Sequence, residues 1–118
     1  PPTAPARPAD LSDDAAEEWD RVVPVLDAMG MVTVVDRAAL VAYCEAWARY
    51  LAAVRILRRS PVVVRNAGRV SKHPAVQVAR DAATEIRGWA SEFGLTPSAR
   101  ARLTLPGSDE DELEALLA

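Results

Sequence analysis

Along the chain, apolar residues recur three and four apart, and breakers divide that rhythm into segments. Trp19, Val22, Val23, Leu26 and Met29 keep helical spacing after an acidic start at Asp13-Asp14, and Gly30 stops them. Ser12 is the expected cap of this short N-terminal helix, and Asp13, Asp14, Glu17 and Glu18 suit its positive end. Pro24 falls inside the pattern and either kinks the helix or splits it. Thr33-Val34-Val35-Asp36 then fits a capping box, and no Gly or Pro follows until Ser60-Pro61. The pattern predicts one long helix over that span.

Two apolar series run along this second helix. Leu40, Tyr43, Trp47, Tyr50, Val54 and Leu57 form one, and Val41, Cys44, Ala48 and Leu51 form another, one residue along. Together they make a sector too broad for a single partner helix. A second long helix would cover one seam, and a neighbouring copy the other. Leu40, Tyr43, Cys44, Trp47, Leu51 and Val54 are therefore the expected oligomer contacts.

Val62–Val64 and Arg69–Lys72 flank Asn66-Ala67-Gly68, which reads as a three-residue turn in a short β-hairpin, or else as an irregular loop. Pro74 suits the first position of another helix, with His73 as its cap. Along it Val76, Ala79, Ala83, Ile86, Ala90 and Phe93 keep helical spacing with Trp89 beside them, until Gly94 and an apolar contact from Leu95. Thr96-Pro97-Ser98 opens a short C-terminal helix with Arg100 and Arg102. The expected fold is mainly α: two long antiparallel helices, a short N-terminal helix, a basic connector and tails. Residues 1–10 read as an extended, mobile, proline-rich segment, 11–103 as the helical core and 104–118 as an acidic tail. There Leu113, Leu116 and Leu117 share a helical face, making it either a solubilising end or a segment that docks on a partner.

Charge changes the picture more than composition does. The formal net charge is only −3, but the signs are segregated. Residues 46–80 hold eight cations, Arg49, Arg55, Arg58, Arg59, Arg65, Arg69, Lys72 and Arg80, without one Asp or Glu. The last fifteen residues hold five acids and no base. A cationic surface of that kind attracts polyanions, and arginine matches phosphate with a two-pronged donor geometry. Arg55, Arg58 and Arg59 also suit the negative end of the second helix. That account does not extend to Arg65, Arg69 and Lys72. These six are the expected DNA contacts.

Catalytic chemistry is not written in the chain. His73 is the lone imidazole and Cys44 the lone thiol, and neither sits near a plausible partner. No phosphate-binding glycine loop or metal-ligand spacing occurs, so no cofactor is expected, and no apolar run is long enough to span a bilayer.

The order Trp19, Pro24, Leu26, Gly30, Thr33, Asp36, Leu40, Tyr43, Trp47, then Lys72-His73-Pro74, then the GLTPSAR stretch from Gly94 to Arg100, resembles the small terminase subunits of tailed double-stranded DNA bacteriophages. The resemblance spans roughly residues 8–103. It implies a non-enzymatic DNA-packaging adaptor in the host cytoplasm. Such an adaptor forms a ring of many subunits, engages viral double-stranded DNA, and recruits a large terminase subunit holding the ATPase and nuclease. Val34-Val35 departs from the more polar residues expected there and suggests a subunit contact. Two other readings stand beside this one. The first is a dimeric helix-turn-helix regulator using the Gly30 turn, which the apolar start of its second helix disfavours. The second is a structural coiled-coil subunit that binds no nucleic acid.

Overall fold

The computed structural model describes residues 4–94. Within them the chain runs α1 (Asp13–Ala28), a 3₁₀ turn (Val34–Asp36), α2 (Arg37–Arg59), β1 (Val63–Asn66), β2 (Arg69–Lys72) and α3 (Pro74–Glu92). Leu95, the expected fourth helix and the acidic tail with Leu113, Leu116 and Leu117 lie outside the described residues.

α1 is a full 16-residue helix and Pro24 neither splits nor ends it. The proline sits on the exposed side, where its missing N–H leaves the buried face intact. Two backbone bonds close the helix as a glycine-capped end. The Met31 N–H donates to the Leu26 carbonyl at 2.9 Å, and the Gly30 N–H donates to that of Asp27 at 3.0 Å. Gly30 supplies the required positive φ of 68°.

Ser12 is not the side-chain cap expected of it. Its hydroxyl donates to Glu45 Oε1 at 2.6 Å and its N–H to Glu45 Oε2 at 3.0 Å, so it ties the start of α1 to the middle of α2. The stretch before it is extended but held in place. Pro5 is buried, the Ala4 N–H reaches Asp27 at 3.1 Å, and Arg7 pairs with Asp20 at 3.1 Å. The lead-in is thus a strap along α1.

The turn into α2 carries the expected reach-back contact, with the Thr33 N–H donating to Asp36 Oδ2 at 2.7 Å. Its first residues form the 3₁₀ turn, so α2 begins at Arg37. Ser60 leaves the helix with extended dihedrals ahead of Pro61.

α2 is the central element, with α1 and α3 both packed on it. The Glu18–Tyr43 and Asp14–Arg55 contacts bind α1 to it. Tyr43–Phe93 and Arg49–Glu85 set α3 antiparallel to it. This corrects the assignment of Leu40, Tyr43 and Cys44 to an oligomer contact. All three are completely buried within one chain, because α1 and α3 cover these positions of both seams. Trp47, Leu51 and Val54 are only half-buried.

Alanines line part of this core. Ala46 and Ala53, seven apart on α2, are buried, as are Ala75, Ala82 and Ala90 on α3. The buried stripe of α3 is Ala75, Ala82, Ile86, Ala90 and Phe93. Val76, Ala79 and Ala83, expected on it, lie half-exposed at its edge. Small side chains let helix backbones approach closely, which moves the contact line off the larger residues.

One carboxylate lies inside the core. Glu18 is 2% exposed and accepts the Tyr43 hydroxyl at 2.6 Å and Arg21 at 2.8 and 2.9 Å. A buried charge is tolerated when it is paired and hydrogen-bonded, as here. Glu18 is thus a core anchor, not only an acid at a helix start.

Candidate nucleic-acid interface

β1 and β2 form an antiparallel hairpin between α2 and α3. Asn66 pairs with Arg69, which leaves Ala67-Gly68 as a two-residue turn in place of the expected three. Both turn residues have positive φ, 51° at Ala67 and 78° at Gly68, as a type I′ turn demands. This twist suits the strands, and the alanine bears a steric cost that glycine would not. At the base, the His73 N–H donates to the Val62 carbonyl at 2.6 Å and carries the ladder one step further. His73 also caps α3, its Nδ1 accepting the Ala75 N–H at 3.0 Å, with Pro74 at the helix start. That is structural use of the imidazole.

The register sorts the side chains. Val63 lies opposite Lys72 and Arg65 opposite Val70, so these four share one face. Val64, Ser71, Asn66 and Arg69 share the other. Val64 alone is half-buried, whereas Val63 and Val70 are 50% and 62% exposed. Neither strand packs substantially on a helix. The alternation of valine with cation on this open face follows from the pairing register.

Of the six cations singled out for DNA, the structure gathers five at one end of the molecule. Arg58 and Arg59 close α2, and Arg65, Arg69 and Lys72 stand on the hairpin. All five are exposed, and none of their side chains has a hydrogen bond or ion pair among the described residues. Arg55 is different. It grips Asp14 of α1 with both terminal nitrogens, the longer contact being 3.2 Å, and is taken out of the free set. The same hydrogen bonds hold the Asp14 carboxyl below the usual range and raise the Arg55 guanidinium. Arg49 pairs with Glu85 in the same manner. A stretch without acids in sequence is thus partly neutralised by acids from α1 and α3.

Cys44 is buried, and its thiol is pushed up to about 12 by burial, with Glu18 and Glu45 adding to the shift. Burial beside Glu18 likewise raises the Tyr43 phenol. Among the described residues no group of acids, His and Cys could hold a metal ion, and no helix is long and apolar enough to cross a membrane. The helix-turn-helix reading fares poorly. The exposed positions at the start of α2, Arg37 and Ala38, offer a groove only one cation.

A family model described as phage terminase, small subunit, matches residues 15–110. The chain belongs to that family. This small terminase subunit has a role in phage DNA packaging, and the match spans α1, α2, the hairpin and α3. No curated protein and no solved structure matches it.

Proposed function

We propose that this chain is a non-catalytic packaging adaptor. Several copies assemble, bind viral double-stranded DNA through the hairpin ends, and recruit the large terminase subunit that carries the ATPase and nuclease. One observation carries the DNA part: five exposed cations at one end of the molecule, on α2 and the hairpin, have no carboxylate partner among the described residues. Arg58, Arg59, Arg65, Arg69 and Lys72 contact phosphates, and Arg55 serves the α1–α2 packing instead. Repetition of this end around an assembly multiplies weak contacts by effective concentration. The assembly contacts are the half-buried Trp47, Leu51 and Val54, together with Val34 and Val35, which are well exposed at the turn into α2. Family membership supports the partners, since a small terminase subunit works beside a large one.

The test is DNA affinity across a salt series. Arg65→Ala, Arg69→Ala and Lys72→Ala together should make the log–log salt dependence shallower by about 2.7, three phosphate contacts at roughly 0.9 each, with folding unchanged. An unchanged slope would remove the hairpin from the interface. Native mass spectrometry addresses assembly, and a lone monomer at working concentration would overturn it.

A further inference from the structure

The hairpin presents an apolar strip that nothing in the described fold covers. Val63 and Val70 stand on the same open face as Arg65 and Lys72, with the exposed Val62 at its base. A two-stranded hairpin left bare in water is marginal, so a cover for that face would stabilise it. Residues 108–117, SDEDELEALL, have the complementary character. They hold five carboxylates and three leucines, and no cation. Reach is sufficient. α3 is 19 residues long, so Gly94 lies ~28 Å from the hairpin base. Residues 95–107 span up to ~43 Å when extended.

We infer that the acidic segment 108–117 docks on the Val63–Val70 face of its own chain's hairpin. There Leu113, Leu116 and Leu117 cover the valines, and the carboxylates neutralise Arg65 and Lys72. The segment then competes with DNA for the same cations. This rests on the DNA reading above for its consequence, but not for the contact itself.

Two measurements on the full chain separate these. Leu113→Ser, Leu116→Ser and Leu117→Ser together leave every charge in place, so long-range repulsion of DNA is unaltered. Without DNA, hydrogen exchange of the hairpin amides should be faster in this variant than in the parent. For a segment held at ~1 mM effective concentration with ~0.1 mM intrinsic affinity, its affinity for a 30-base-pair duplex should rise about 10-fold. Equal exchange in the two proteins overturns the docking. So does protection that grows with protein concentration and ignores the leucines, since a second copy would then be the cover. Faster exchange with no DNA binding in either protein upholds the contact and sinks the DNA reading instead. Faster exchange with unchanged DNA affinity overturns the competition.

Discussion

The helical body and the hairpin obey opposite rules. In the body, polar groups at the helix contacts are matched: Glu18 by Tyr43 and Arg21, Glu45 by Ser12, Asp14 by Arg55 and Glu85 by Arg49. At the hairpin, cations whose side chains have no partner among the described residues stand beside half-exposed valines. Internal matching makes a surface stable and indifferent to ligands. Unmatched charge and uncovered apolar area leave binding energy for something else. The division separates arginines tied to acids of other helices from those with no such tie among the described residues, a distinction that charge counting along the chain merges.

The contrast can be broken in three ways, from the largest effect downward. Leu40→Ala in the core should lower unfolding free energy by about 2–5 kcal/mol, whereas Val70→Ala on the hairpin should stay within about 0.5 kcal/mol. Denaturant titration of both measures the gap, and similar losses would mean that the hairpin is part of the core. Tyr43→Phe keeps the ring packing on Phe93 but removes the hydroxyl from Glu18. It should destabilise by about 1–3 kcal/mol, and a neutral result would show that Arg21 alone satisfies the carboxylate. The smallest effect concerns Asp14. Its carboxyl is held low by Arg55, so the pair stabilises the fold above the unfolded pKa of about 3.9 and loses that contribution as pH falls through the folded value. The stability difference between the parent and Asp14→Asn should be steady near neutrality and shrink toward zero in strong acid. A difference that ignores pH would rule out the pair as its source.

Much of the helical layout was legible. Gly30, Ser60-Pro61, Pro74 and Gly94 punctuate the chain where its helices end or begin, because backbone restrictions act locally and need no tertiary context. What escaped was decided across the fold. Ala46, Ala53, Ala75 and Ala82 carry little hydrophobic signal, yet all four are buried. Pairing of Arg49 and Arg55 with acids thirty-six and forty-one residues away cannot be seen in any window. Glu18 looked like a solvated helix-start acid because its partner Tyr43 lies on another helix. The broad apolar sector of α2 was recognised, but half of what was assigned to a neighbouring copy belongs to α1 and α3 of the same chain. At the candidate site, five of the six cations are exposed with no side-chain partner among the described residues, and Arg55 is paired with Asp14. Their interleaving with valines emerges only from the strand register.

Both strands of the hairpin feed directly into the facing ends of α2 and α3, with Ser60–Val62 on one side and His73 alone on the other. A tug on the tip along the helix axes therefore loads both rods at once. The two rods are pulled the same way, so the load neither slides one past the other nor peels them apart. A force applied at the tip is therefore shared between both rods and leaves their contact in register.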